Sequence, residues 1–197
     1  KGLLYEYFTP SEIAKKMWGL AYKYGFKGGH VLEPACGIGE FIKYAPEQSM
    51  VTGYEINETS AKICKVLFPE SNIQSKYFET LFIKNNNSVR GNLQGVKKYQ
   101  LIIGNPPYGS FRSPYSGMGE KSYTDANNYI DYFITRGLDL LEKDGLLIYI
   151  IGTEVAIGGT PFLQQPMNPV KKSILEKGDL VDAYRLPNGL FETTDVV

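Results

Sequence analysis

The spacing of apolar positions changes period several times along the chain. Ile13, Ala14, Met17, Trp18, Leu20 and Ala21 recur three and four apart, which is one face of a helix. Thr9 stands as its N-cap, Pro10 at its first position and Glu12 in its first turn, and Gly25 ends it. Short apolar runs then alternate with helical patterns. Residues 31–32, 51–54, 72–75, 101–103, 146–151 and 180–185 read as six strands. Residues 40–44, 58–68, 129–141 and 170–176 read as the helices between and around them. Strands that alternate with helices build βαβ units, with right-handed crossovers and a parallel twisted sheet covered on both faces. The fold class is α/β. Two polar stretches, 85–95 and 109–128, are the long loops.

Composition narrows the picture. A chain of 197 residues with 43% hydrophobic content buries one good core, so a single domain is expected: a helical cap over 1–27 and an α/β core over 28–197. The chain opens on Lys1 rather than Met, and residues 193–197 resemble the start of a further strand, so it reads as a piece of a longer protein. There are 21 basic and 21 acidic residues. A protein that grips nucleic acid by itself carries a basic excess, so any such grip is expected to come from regions outside this chain. No apolar run reaches membrane-spanning length, no signal peptide opens the chain, and Cys36, Cys64 and a lone His30 offer no zinc set. A soluble, cytoplasmic protein with reduced thiols, no metal and no membrane contact is expected.

The candidate chemistry begins where the fourth strand stops, at Asn105-Pro106-Pro107-Tyr108. Neither proline donates to a ladder, and each fixes its own φ and restricts the residue before it, so this edge is stiff and rich in acceptors. The Asn105 side-chain oxygen and the Pro106 carbonyl can each accept one N–H of a planar NH2 group. Both bonds strengthen as positive charge develops on that nitrogen during attack, which is stabilisation specific to the transition state. Tyr108 offers a flat face to a heterocycle. Read alone, the tetrapeptide is equally a proline-stiffened strand end with an exposed tyrosine.

After the first strand comes Glu33-Pro34-Ala35-Cys36-Gly37-Ile38-Gly39-Glu40-Phe41. Glycines between a strand and a helix let the backbone approach a ligand closely. An acid just before the turn repels phosphate but balances a cationic ligand, such as the sulfonium or amino group of S-adenosylmethionine. The plainer alternative is a turn that only reverses the chain. Glu55 ends the second strand, where a carboxylate can take both ribose hydroxyls while Ile56 covers one face of an adenine; otherwise Glu55 is a charge at the next helix N-terminus. Phe78 and Glu79 follow the third strand, where a polar group can read an adenine amine, with a solvated loop acid as the alternative. All these positions fall just past the carboxyl ends of strands, where open α/β sheets bind ligands.

In these motifs the sequence resembles the gamma-type N6-adenine DNA methyltransferases, the Asn-Pro-Pro-Tyr class in which the cofactor motif comes first. Tyr7-Phe8-Thr9-Pro10 is similar to that family's N-terminal motif, residues 33–41 to its glycine motif, Glu55 to its ribose acid and Asn105 to Tyr108 to its catalytic tetrapeptide. Residues 129–133, 145–147 and 185–191 resemble the methylase part of large helicase-methylase proteins of phages and mobile elements. The resemblance implies a Rossmann-like fold closed by a final antiparallel strand, here truncated. It implies S-adenosylmethionine as cofactor, held by Tyr7, Thr9, Pro10, the glycine motif with Phe41, Glu55, Ile56, Phe78, Glu79 and Asn105. It further implies a double-stranded DNA partner whose target adenine flips out and stacks on Tyr108, with Phe191 either against the other face or edge of the base or a core side chain beneath its loop. Two other readings stand beside it: N-methylation of protein glutamine or RNA, and a catalytically silent cofactor-binding module of a larger DNA-processing protein.

Overall fold

The computed structural model describes residues 8–84, 88, 89, 93, 95–108, 129–151, 166, 167 and 169–187. Helix α1 (Ser11–Lys23) buries Ile13, Ala14, Met17, Trp18 and Ala21, the stripe its spacing predicts. Its cap residue is Pro10, with no side-chain hydrogen bond there, so Thr9 does not cap it. The proline supplies the extended ψ of a cap, and its carbonyl accepts from the amides of Ile13 and Ala14. At the other end Gly25 takes φ 98°. The Phe26 amide reaches back to the Ala21 carbonyl and the Gly25 amide to Tyr22, a Schellman closure. That turn folds Phe26 onto Trp18, with ring centroids 5.9 Å apart.

The central sheet contains β1 (Gly29–Glu33), β2 (Ser49–Glu55), β3 (Asn72–Ser75), β6 (Tyr99–Gly104) and β7 (Leu141–Tyr149), in the order β3-β2-β1-β6-β7. Every pairing is parallel, with Val31 beside both Val51 and Leu101. The chain therefore winds outward from β1 in one direction, then returns to β1's other side, and the order reverses between β1 and β6. Side chains on alternate strand positions feed two cores. Val31, Leu101 and Ile103 face α1 and, from α2 (Glu58–Leu67), Ala61 and Cys64. Leu32 and Ile102 face Phe78, Phe82, and Tyr132 and Phe133 of α3 (Tyr129–Leu140). Helix α4 (Pro169–Lys177) is joined to α3 through Asp139, which takes Lys177 at 2.6 Å and Arg136 at 3.1 Å. The buried Arg136 also lies over the Phe82 ring, and burial pulls its guanidinium down to about 10.

Four further features differ from the sequence expectation. Residues 40–44 form only a short 3-10 turn, Ile42–Tyr44, because Ala45 before Pro46 is forced into extended backbone with ψ 135°. β7 starts at Leu141 rather than at 146, with a register shift against β6 and Asp144 at φ 62°, so a bulge sits inside it. Inside the polar stretch 85–95, β5 (Ser88–Val89) pairs antiparallel with β4 (Ile83–Lys84). Residues 180–185 have strand-like composition but join no ladder among the described residues, and Leu180, Val181 and Tyr184 are exposed. Composition predicts a strand from side chains, whereas a ladder needs a neighbour in place. Here Asp182 instead accepts hydrogen bonds from the hydroxyls of Tyr24, at 2.5 Å, and Tyr184, at 2.6 Å, which fastens the segment to the end of α1. The expected final strand at 193–197 lies outside the described residues.

Candidate active site

Strand β1 ends at Glu33 and β6 ends just before Asn105, and the two strands are neighbours at the point where the strand order reverses. Ligands of open α/β sheets bind at such a point. The structure opens a pocket there, lined by Phe8, Thr9, Glu33, Ala35, Cys36, Gly37, Ile38, Glu40, Phe41 and Asn105. It brings the glycine turn, the start of the chain's first helix and the Asn-Pro-Pro-Tyr edge into one place.

The turn itself is built by close packing. Gly37 adopts φ 52° and Gly39 φ 94°. A Cβ on Gly39 would lie 2.5 Å from Phe68 and 2.9 Å from the Cys64 sulfur, so the turn rests directly on α2 and its C-cap. A Cβ on Gly37 would meet nothing within 4 Å, so this glycine borders open space on the pocket side. Two contacts tie α1 to the same turn: the Trp18 indole N–H donates to the Phe41 carbonyl at 2.8 Å, and the Ser11 hydroxyl donates to Glu40. Cys36 and Cys64, distant in sequence, come together beneath it as free, buried thiols. Their mutual hydrogen bond and burial push Cys36 up, so it stays protonated.

Glu33 is 2% exposed, and its Oε2 has no hydrogen-bond partner among the described residues. Burial above all, then the charges of Cys64, Glu55 and Glu40, holds its carboxyl well above the usual range. A buried carboxylate without a partner is costly, and it is lodged where a cation can answer it. Glu55 is used differently. Its Oε2 accepts from the Gly37 amide at 2.8 Å and its Oε1 from the Asn57 amide at 2.7 Å. It therefore splices the glycine turn to the entrance of α2, while Asn57 caps that helix by accepting from the Thr59 and Ser60 amides. Ile56 beside it is 59% exposed.

Phe78 and Glu79 sit on a 3-10 turn, Phe78–Phe82, after β3, and both are buried. Glu79 is therefore not a solvated loop acid, and burial raises its carboxyl. The aromatic rings of α3 pack on the adjacent Phe78: Phe133 lies 4.9 Å from it, Tyr132 meets it edge-on, and the Tyr129 hydroxyl is raised by burial and by Glu79's charge. On the other side of β1, Pro106 is buried, Asn105, Pro107 and Tyr108 are half-buried, and the Tyr108 hydroxyl donates to Asn105 Oδ1. Pro34 and Pro10 flank the pocket in sequence without lining it; Tyr7, Phe191 and the loop 109–128 lie outside the described residues. Sequence reading placed Phe8, Ile38 and Glu40 inside its two motifs without singling out any of them, and all three line the pocket. The only signal for Glu40 was an acid inside a glycine turn that already had one. Among the described residues no three side chains are grouped to hold a metal, and no helix is long and apolar enough to cross a membrane.

A parallel sheet with its ligand pocket at this reversal, a glycine turn after β1 and an acid closing β2 defines the Rossmann-like fold of S-adenosylmethionine-dependent methyltransferases. Residues 16–165 match the Eco57I restriction-modification methylase family, and the chain belongs to that family. It is 28% identical over 191 residues to the defense against restriction protein B of Escherichia phage P1, covering 97% of this chain and 8% of that protein. It is 27% identical over 173 residues to modification methylase CviBIII of Paramecium bursaria Chlorella virus NC1A, covering 86% of this chain and 41% of that protein. The chain thus spans under half the length of either relative. The type I restriction-modification system methyltransferase subunit from Streptococcus thermophilus has the same fold, with a TM-score of 0.57 at 17% identity over 88% of this chain and 38% of that one.

Proposed function

We propose that this chain is the catalytic part of a DNA methyltransferase that transfers a methyl group from S-adenosylmethionine to the N6 amino group of adenine. The observation that carries the reading is the meeting of Glu33, with its unpartnered oxygen, and Asn105 in one pocket at the ends of neighbouring strands. A buried acid without a partner and open space at Gly37 fit a cationic nucleoside. Glu33 and the turn 34–39 would hold its charged part, with Thr9 and Phe8 over it. Glu55, at the end of β2, would take the ribose hydroxyls, Ile56 and Phe78 would flank the adenine, and Glu79 would meet its amine. The cofactor supplies an electrophilic methyl group. The chain's own part is to bind the target amine through Asn105 Oδ1 and the Pro106 carbonyl, hold its plane against Tyr108 and draw off charge as the nitrogen becomes cationic. The Tyr108 hydroxyl now donates to the Asn105 oxygen, so an incoming base takes over that acceptor. With 21 basic against 21 acidic residues, phosphate contacts to duplex DNA are assigned mainly to regions outside the chain.

Methyl transfer from labelled cofactor to DNA, RNA and a glutamine-bearing protein, side by side, tests the substrate. N6-methyladenine in the DNA arm is expected; label confined to protein or RNA would overturn the assignment. For the cofactor, Glu55→Ala is expected to weaken S-adenosylmethionine by about 1.5–3 kcal/mol, the loss of charge-assisted hydrogen bonds. Calorimetry on the folded variant measures it, and unchanged affinity would leave Glu55 only its role as a splice between Gly37 and Asn57.

A further inference from the structure

Two carboxylates face the pocket, and the chemistry above uses one. Glu40 enters from the far side of the glycine turn, with its side chain 24% exposed. It accepts the Ser11 hydroxyl at the first turn of α1, where the helix's partial positive charge favours an anion. Among the described residues the cations beside Glu40 are half-exposed lysines. Lys43 Nζ stands 3.9 Å from Glu40 Oε1 but is half exposed and screened by water, and Lys15 is engaged with Glu12 at 2.7 Å. The third acid, Glu55, faces the same turn from β2, and the neighbouring thiols of Cys36 and Cys64 are buried. Glu33, nearly fully buried, has one oxygen with no hydrogen-bond partner among the described residues, so the pocket holds an acid that nothing described there answers.

We propose that Glu40 is a specificity-determining residue: its charge makes the pocket prefer a sulfonium cofactor over the neutral thioether that remains once the methyl group has left. The inference rests on the cofactor reading above. The two ligands share their adenosine and amino-acid ends and differ by one methyl group and one positive charge. A pocket that reads the charge favours release of the spent form. Glu33 is too deeply built into the turn to isolate this effect, whereas Glu40→Gln removes charge and keeps an oxygen for Ser11.

The test is calorimetry of S-adenosylmethionine and S-adenosylhomocysteine on the full-length protein and its Glu40→Gln variant. S-adenosylmethionine affinity should fall on the order of fivefold, as for one partly screened charge, with S-adenosylhomocysteine unchanged. Equal losses for both ligands, or none, would overturn the proposal and leave Glu40 as a fastening for α1. Lys43→Gln, which removes the exposed offsetting cation, supplies an independent arm: the preference for the sulfonium should widen, and an unaltered ratio counts against the proposal. If the wild-type protein binds neither ligand, the cofactor reading fails and takes this one with it; if it binds both and the ratio ignores both variants, only this one fails.

Discussion

Methyl transfer by an Asn105→Ala protein is expected to fall by about a hundredfold or more while cofactor affinity stays near that of the wild type, as for loss of one preorganised transition-state group. The reason lies in when each contact matters. Asn105 Oδ1 lies on a stiff edge, between buried β6 and buried Pro106, and in the structure it already holds a donor, the Tyr108 hydroxyl. A target amine is a weak partner for it before attack and a strong one as charge develops, so the oxygen acts on turnover. Single-turnover rates and cofactor dissociation constants, measured on the same preparation, separate the two. Parallel losses in both would mean that Asn105 shapes the pocket rather than the reaction.

Glu33→Gln is expected to do two opposite things: stabilise the ligand-free protein and weaken cofactor binding by on the order of tenfold or more, the loss of a charge-assisted contact. The sign follows from the raised carboxyl. A group whose pKa is higher folded than unfolded contributes stability that is fully present below the ordinary glutamate range and is lost as pH rises through its raised value. Glutamine carries no such loss, so the melting temperature of the variant should gain on the wild type as pH rises from about 4 to 8. Binding should follow the reverse course in the wild type. A cation selects ionised Glu33, so its affinity climbs with pH over the same range and binding releases a proton. A variant that melts like the wild type at every pH and binds as well would show that Glu33 neither suffers burial nor faces the ligand.

Much of this is legible in the sequence because it lives in local pattern. The stripe on α1, the β-strands around 31, 51, 72 and 101, and the glycines and acids after them follow from period and turn chemistry, and the sheet brings their ends together. The failures are those of partners. Residues 180–185 have the side chains of a strand, but nothing in their spacing reveals whether a ladder stands beside them. The arrest of the helix at 42–44 was readable from Pro46, had its effect on Ala45 been weighed against the apolar spacing. Glu79 kept a solvated loop acid as its alternative because α3, which packs Phe133 on the adjacent Phe78 and sets Tyr129 within reach of Glu79's charge, lies far along the chain. Glu40 stayed hidden for a related reason: its partner, Ser11, belongs to a helix that precedes the sheet.

The link between Trp18 and the Phe41 carbonyl gives the molecule a built-in optical gauge. Trp18 is the single tryptophan of the chain, and its indole is buried with its N–H fixed at 2.8 Å on the backbone of a pocket-lining residue. Any ligand that tightens or lifts the glycine turn changes the hydrogen bond and the polarity felt by that one fluorophore. Cofactor titrations can therefore be followed in intrinsic emission without a label, and Trp18→Phe should abolish the signal. A spectrum indifferent to saturating cofactor would mean that the turn stays rigid as the pocket fills.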